Sequence, residues 1–336
     1  NSRNTVNLTP LGNRVIYRAG EGPNPDRIRV SDGTREGTKQ LKNLNGVPYY
    51  DNPVSIAKVG ETAYVFARAG DNYNAGDLWK TDGTDAGTSL VLSGGAGLPM
   101  IHRMAGADGV LYFSAGDDGG NRTWLWKSDG TSAGTVPLLK INPTANYAFL
   151  SDFSCIGNRL YFVANDGVHG SELWTSDGTT EGTRMLKDIR EGSDPSTPAQ
   201  LTVRGNHLFF TADDAIHGRE LWITDGTSSG TKLVRDVFPG SDGASIASIT
   251  TVGTTVYFGA DDGVSGVELW KSDGTTEGTV LMKEIVPGPR GSDVTDLAAY
   301  GTSFYFAADD GVHGSELWSS DGTTGGTVML YDIVPG

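Results

Sequence analysis

A ten-residue block recurs along this chain, and one of its clearest copies reads Trp270-Lys271-Ser272-Asp273-Gly274-Thr275-Thr276-Glu277-Gly278-Thr279. The intervals between its copies, measured from aspartate to aspartate, are 50, 47 and then four times 48 residues. Repetition at this period is typical of stacked supersecondary modules, so each repeat predicts one module that buries its apolar surface against its neighbours. The aspartate of the block stands at seven positions: Asp32, Asp82, Asp129, Asp177, Asp225, Asp273 and Asp321.

The residues around the block predict four antiparallel strands in each repeat. In the fourth repeat these strands are residues 149–156, 160–164, 172–176 and 184–189, with a Gly-Asn hairpin signal after the first. The second strand is apolar throughout, which indicates that both of its faces are covered. Seven such modules in 336 residues predict an all-β fold, a seven-bladed β-propeller that forms a single domain from residue 1 to 336. An open β-solenoid is the rival architecture, but its coils are shorter.

The block itself is predicted to build the hairpin between the third and fourth strands. Its Asp accepts hydrogen bonds from backbone N–H groups two residues on, its Gly adopts positive φ, and its Thr restarts the extended chain. A tryptophan precedes the Asp by three residues in six of the seven repeats, and at one fixed position of the third strand it is predicted to pack between blades. The most visible residues of the repeat are therefore predicted to be structural.

Composition limits the classes of partner. The chain carries 41 acidic and 26 basic residues, a net charge of −15, which argues against a nucleic-acid surface. It contains no run of 18 apolar residues, so no membrane-spanning segment is predicted. The lone cysteine, Cys155, excludes an internal disulfide framework. Because the sequence begins within what is predicted to be a first strand, it is expected to be a piece of a longer protein.

The longer stretch from Glu268 to Thr279 closely resembles the ELWxxDGT repeat of bacterial secreted and cell-surface proteins. The resemblance covers essentially the whole chain, with repeats four to seven closest and repeats one to three worn. It implies a bacterial protein that is extracellular or attached to the cell surface. It implies no reaction.

Carboxylates recur in the loops between the second and third strands. Oxygen ligands at this density are typical of calcium sites, although Asp-Gly is also ordinary turn chemistry and the strict twelve-residue calcium loop is absent. Calcium is therefore one expectation and a plain turn the other. His169, His217 and His313 share a position in these loops and are predicted to be surface turn residues. The candidate calcium ligands are Asp213, Asp214, Asp261, Asp262, Asp309 and Asp310.

The first three repeats depart from the later ones in the linker between one repeat's fourth strand and the next repeat's first. Binding residues concentrate on loops that a rigid frame carries, so these departures predict a specialised ligand site, with neutral drift as the alternative. Trp124, a tryptophan outside the repeat pattern, is a further surface candidate. The candidate ligand-binding residues are Tyr49, Tyr50, His102, Arg103, Trp124 and Tyr147.

Three functions remain open from the sequence. The first is a non-catalytic binding or adhesion module that presents a propeller rim to a glycan, a surface polymer or a protein, with or without calcium. The second is a hydrolase or lyase acting on polysaccharide at the rim or central channel, with His102 and Arg103 as the only non-repeating polar pair. The third is a structural spacer within a larger surface protein.

Overall fold

The structure is a computed structural model that describes residues 6–19, 27–41, 55–68, 76–94, 98–116, 122–144 and 148–333. These residues form 28 β-strands in seven four-stranded antiparallel sheets, each built from strands that follow one another in sequence. Seven such sheets are the blades of a seven-bladed β-propeller, which confirms the fold class predicted from the repeat. No helix in these ranges combines the length and hydropathy that a bilayer span requires.

The first three sheets have the following strands. The first sheet contains β1 (Val6–Leu11), β2 (Arg14–Ala19), β3 (Arg27–Ser31) and β4 (Lys39–Gln40). The second contains β5 (Ile56–Val59), β6 (Thr62–Arg68), β7 (Gly76–Thr81) and β8 (Ser89–Leu92). The third contains β9 (Ile101–Ala107), β10 (Val110–Gly116), β11 (Arg122–Ser128) and β12 (Val136–Lys140).

The last four sheets are nearly identical in length. The fourth sheet contains β13 (Ser151–Ile156), β14 (Arg159–Asn165), β15 (Ser171–Ser176) and β16 (Arg184–Lys187). The fifth contains β17 (Ala199–Arg204), β18 (His207–Asp213), β19 (Arg219–Thr224) and β20 (Lys232–Arg235). The sixth sheet contains β21 (Ala247–Val252), β22 (Thr255–Asp261), β23 (Val267–Ser272) and β24 (Val280–Lys283). The seventh contains β25 (Thr295–Tyr300), β26 (Ser303–Asp309), β27 (Ser315–Ser320) and β28 (Val328–Tyr331).

The chain divides into two compact units. One unit comprises Asn1–Gly167 with Thr175–Arg184, and the other comprises Val168–Trp174 with Met185–Gly336. In the first unit, apolar clusters form around Phe66 and Phe113 and around Ile16 and Val65. In the second, they form around Phe258 and around Phe306.

The repeated tryptophans pack in the core, as predicted. Trp222, Trp270 and Trp318 are 4–7% exposed. In the second unit, the basic residue that ends the fourth strand of the fourth, fifth and sixth sheets covers the tryptophan of the next sheet. Lys283 Nζ lies 5.9 Å from the Trp318 ring centre and donates to the Thr327 carbonyl at 2.8 Å. Lys187 and Arg235 make the corresponding contacts with the fifth and sixth sheets. Neighbouring sheets are therefore joined by a cation–π contact and a hydrogen bond as well as by apolar packing.

Candidate functional site

The repeated Asp-Gly-Thr block forms a closed hydrogen-bonded turn at the hairpin predicted for it. In the sixth repeat, Asp273 Oδ1 accepts from the Thr275 backbone N at 2.9 Å and from its hydroxyl at 2.7 Å. The Thr275 hydroxyl oxygen also accepts from the Gly278 N–H, and the Thr279 hydroxyl donates to the Thr275 carbonyl. The two hydrogen bonds from Thr275 lower the pKa of Asp273, which keeps the carboxyl ionised in the turn. The side chains of the block thus serve to stabilise the hairpin turn.

The carboxylates in the loops between second and third strands are also engaged in turn formation. Asp262 Oδ1 accepts from the Val264 N–H at 2.9 Å and from the Ser265 N–H at 2.7 Å, and Asp261 Oδ1 accepts from the Gly263 N–H. The same turns form at Asp213 and Asp214 and at Asp309 and Asp310. Among the described residues, no group of three or more His, Cys, Asp or Glu side chains has a geometry suited to a metal ion.

Two of the loop histidines share a hydrogen bond with the aspartate three residues before them. His217 Nδ1 lies 2.8 Å from Asp214 Oδ2, and His313 Nδ1 lies 2.7 Å from Asp310 Oδ2. The hydrogen bond to Asp310 raises the pKa of His313, and the bonds from the His313 amide and ring lower the pKa of Asp310 to about 2. Each pair joins two residues of the same loop and so stabilises that loop, in agreement with the prediction that His217 and His313 are turn residues.

In the fourth to seventh sheets, a buried glutamate near the start of the third strand accepts hydrogen bonds from the segment that follows the fourth strand. Glu268 accepts from the backbone N–H groups of Ile285 and Val286 at 2.8 and 2.9 Å and from the Ser292 hydroxyl at 2.6 Å. Glu172 makes equivalent bonds, to Ile189 and Ser196. Burial raises the pKa of both carboxyl groups, and the hydrogen bonds offset part of that rise. These two linkers are therefore anchored near both of their ends.

One residue of each linker bonds to two neighbouring sheets. The Ala244 N–H donates to the Arg219 carbonyl of the fifth sheet at 3.1 Å, and the Ala244 carbonyl accepts from the Asp261 N–H of the sixth at 2.8 Å. Ser292 does the same for the sixth and seventh sheets. Arg290 also pairs with Asp309 at 2.8 Å, and Arg190 pairs with Asp213 at 3.2 Å. Each linker therefore ties one loop to the next.

The loops and linkers approach so closely that glycine is required where they meet. A Cβ at Gly218, whose φ is +67°, would lie 2.5 Å from the Gly243 backbone N, and a Cβ at Gly266 would lie 2.6 Å from the Gly291 N. These segments therefore form one continuous and closely packed surface in the second unit, which we call the rim belt. It consists of loops 168–170, 213–218, 261–266 and 309–314 and of linkers 188–198, 236–246 and 284–294.

The rim belt exposes an apolar residue at the tip of every loop that it contains. The exposed fractions are 69% for Ile216, 71% for Val264, 72% for Val312 and 63% for Val168. Sequence reasoning overlooked both these tips and the role of the buried glutamates. The signal was present, because an aliphatic residue recurs at 48-residue spacing within otherwise polar loops.

The structure describes three of the six ligand-binding residues predicted from the first three repeats, and all three lie in the third sheet. His102 and Arg103 were expected in a linker but lie inside strand β9, because the alternating apolar pattern around them pairs with β10. Arg103 is exposed and His102 half-buried. Trp124 is half-buried in β11, paired with Ala115 and Lys140. The three tyrosines, Tyr49, Tyr50 and Tyr147, lie outside the described residues.

The first unit contains a groove of about 500 Å³ on its first sheet, lined by Leu8, Tyr17 and the Asp32 turn among others. The corresponding turn glycines of the third and fourth sheets are covered by a tyrosine of the preceding sheet: a Cβ at Gly130 would lie 2.4 Å from the Tyr64 hydroxyl, and one at Gly178 would lie 2.7 Å from that of Tyr112. The groove therefore lies on the face of the first sheet that, in the third and fourth sheets, packs against the preceding sheet.

Comparison with known proteins supports the fold. No protein-family model and no curated protein matches the chain. Among solved structures, a prolyl endopeptidase matches with a TM-score of 0.57 and 12% identity, over 98% of this chain and 50% of that one. The β-propeller domain of the Trilobed protease from Pyrococcus furiosus matches over 100% of both chains with a TM-score of 0.52 and 12% identity.

A puromycin-hydrolyzing peptidase of Mycobacterium tuberculosis matches with a TM-score of 0.50 and 14% identity, over 98% of this chain and 54% of that one. The chain therefore spans about half the length of the two peptidases. At these identities the likeness concerns the fold alone, which is that of a β-propeller domain.

Proposed function

We propose that this protein is a non-catalytic binding or adhesion module that presents the rim belt to a glycan, a surface polymer or a protein. One observation carries the proposal: four consecutive sheets hold the same exposed loop tip on a surface that linkers and glycine contacts fix in place. Repeated weak contacts on one rigid surface add up to strong binding through avidity. The resemblance to ELWxxDGT-repeat proteins supports an extracellular or cell-surface setting. Calcium bound in the loops is part of the proposal.

Blocking the rim belt provides a direct test. An Ile216→Cys variant labelled with a maleimide–polyethylene glycol carries a bulky group on the rim belt, and a Glu277→Cys variant carries it on the hairpin at the other end of a third strand. Burial raises the pKa of the native Cys155 thiol to about 12, which disfavours its reaction with the label at neutral pH.

The protein and both labelled variants are tested against arrays of glycans, bacterial surface polymers and proteins, with calcium and with chelator. We expect the unlabelled protein and the Glu277→Cys conjugate to bind one class and the Ile216→Cys conjugate to lose that binding. Equal binding by the two conjugates would exclude the rim belt. Binding that disappears with chelator, together with a fall in melting temperature, would show that calcium takes part.

A further inference from the structure

The identity of the residues at the loop tips has no explanation in the fold. In these turns the backbone N–H of the tip residue donates a hydrogen bond to the side chain of Asp214, Asp262 or Asp310. Any residue except proline supplies that N–H group. The side chains themselves extend into solvent. Because exposure of an aliphatic side chain contributes nothing to folding, the tips carry a feature that the turn does not need.

Variation among the repeats points in the same direction. The residue before the tip changes from glycine to Ala215 in the fifth repeat, and the residue after it changes from histidine to Ser265 in the sixth. The tip changes only from valine to isoleucine, at Ile216. Its neighbours on both sides have thus changed in chemical character, whereas the tip stays a β-branched aliphatic residue in all four loops.

The surface of the rim belt around the loop tips is acidic. The rim belt contains thirteen carboxylates and two arginines, and both arginines are occupied by ion pairs with Asp213 and Asp309. Three linker carboxylates, Glu191, Asp242 and Asp293, are exposed and have no ion pair with any described residue. The surface thus presents aliphatic side chains between uncompensated negative charges.

Charge and apolar character together select the occupant. Nucleic acids and anionic membranes are repelled by such a surface, and a second copy of a chain with net charge −15 is repelled as well. A simple inorganic cation would bind the carboxylates but would make no apolar contact with the aliphatic tips. A polypeptide segment that mixes basic and apolar side chains satisfies both features, because its Lys or Arg meets the carboxylates while its apolar residues cover the tips.

We propose that the rim belt is the docking surface for a cationic, apolar polypeptide segment of a partner protein, held by one apolar contact at each loop tip and by the linker carboxylates between them. This inference rests on the proposed function, since it names the class of ligand for the same surface. Each contact is small, and four of them on one rigid surface give useful affinity.

The test uses three synthetic peptides of equal length, composed of Lys and Leu, of Lys and Ser, and of Glu and Leu. Three variants separate the features of the surface. The tip variant combines V168S, I216S, V264S and V312S, and the linker variant combines E191Q, D242N and D293N. The matched control combines E36Q, E181Q and E277Q, which removes the same charge from exposed hairpins between third and fourth strands. Melting curves verify that all three fold.

We expect the wild-type protein to bind the Lys–Leu peptide best and the Glu–Leu peptide not at all. The tip variant should lose about tenfold or more in affinity for Lys–Leu and retain its affinity for Lys–Ser. The linker variant should weaken for both cationic peptides, and the control variant should match the wild type. A folded tip variant that binds Lys–Leu like the wild type would overturn the inference.

Two further outcomes distinguish the inference from the proposed function. If no peptide binds but a glycan or polymer does, and rim labelling blocks it, the cationic segment is wrong and the binding module stands. If nothing binds in either experiment, both fail. Binding of the wild-type protein to neutral phosphatidylcholine vesicles with no peptide binding, or self-association in sedimentation, would also overturn the choice of partner.

Discussion

Gly326 shows how closely the repeated turn is built around its aspartate. A Cβ at this position would lie 2.1 Å from Asp321 Oδ1, and the equivalent glycine of every other repeat has the same contact, for example Gly278 with Asp273 at 2.0 Å. Glycine is needed there because the carboxylate occupies the space of a side chain while it accepts from Thr323. The last glycine of the block is therefore a steric requirement of the aspartate, a relation that the sequence pattern alone does not reveal.

Adjacent glycines in the last repeat provide a controlled prediction. We expect Gly326→Ala to destabilise the protein by about 2 kcal/mol or more, since the new methyl group must displace the Asp321 carboxylate and break its hydrogen bonds. Gly325→Ala should be neutral or slightly stabilising, because nothing lies within 4 Å of a Cβ there and its φ is not in the left-handed region. Urea unfolding of both variants measures the difference, and equal stabilities would contradict the steric account.

At the scale of the element, the anchoring of linkers by third-strand glutamates has one imperfect copy. Glu220 accepts from the Phe238 N–H at 3.0 Å, but its Oε2 is buried without a hydrogen-bond partner. The reason is a substitution: the serine that serves Glu172 and Glu268 is replaced here by Ala244. Burial accordingly raises the pKa of Glu220 to about 7.

This defect predicts both a stabilising substitution and its pH dependence. Because the pKa of Glu220 is higher in the folded protein than its ordinary 4.5, its contribution makes stability fall as pH rises from about 4.5 to about 7. Ala244→Ser adds a donor for Oε2, so we expect a gain of about 1 kcal/mol near pH 8 and a smaller gain near pH 5.

Denaturation at the two pH values measures the effect. Ser292→Ala, which removes the corresponding donor from Glu268, is the matched control and should destabilise the protein more near pH 8 than near pH 5. An Ala244→Ser variant with wild-type stability at both pH values would show that a water molecule already satisfies Glu220.

At the scale of the whole molecule, the acidic charge is a property of the chain rather than of any one loop. With a net charge of −15 and an isoelectric point near 4.7, the folded protein repels itself at neutral pH. Salt screens this repulsion over a Debye length of about 8–10 Å at ordinary ionic strength.

We therefore expect the melting temperature at pH 7 to rise as sodium chloride increases from about 0.01 to 0.15 M. The same change near the isoelectric point should have little effect or lower the melting temperature, because the net repulsion is gone. Calorimetry at both pH values measures the two slopes. A melting temperature independent of salt at pH 7 would mean that local ion pairs, such as Arg290 with Asp309, dominate the electrostatic energy.

The sequence by itself determined the sheets. A 48-residue period, an apolar second strand and an Asp-Gly-Thr turn are local features, and they place β13–β16 within a few residues of the strands predicted from them. The role of the tryptophans was equally accessible, since a large apolar residue at one fixed strand position has to be buried.

Only the tertiary structure decided which loops and linkers of the rim belt contact each other. The contacts that join Glu268 to Ser292, Ala244 to two sheets and Arg290 to Asp309 connect residues 17 to 25 positions apart. Such contacts depend on where loops and linkers meet in space, and no local pattern encodes that. The same reason explains why His102 and Arg103 were misplaced: a departure from the repeat indicates a change in sequence, but β-pairing determines whether the changed residue lies in a strand or at the rim.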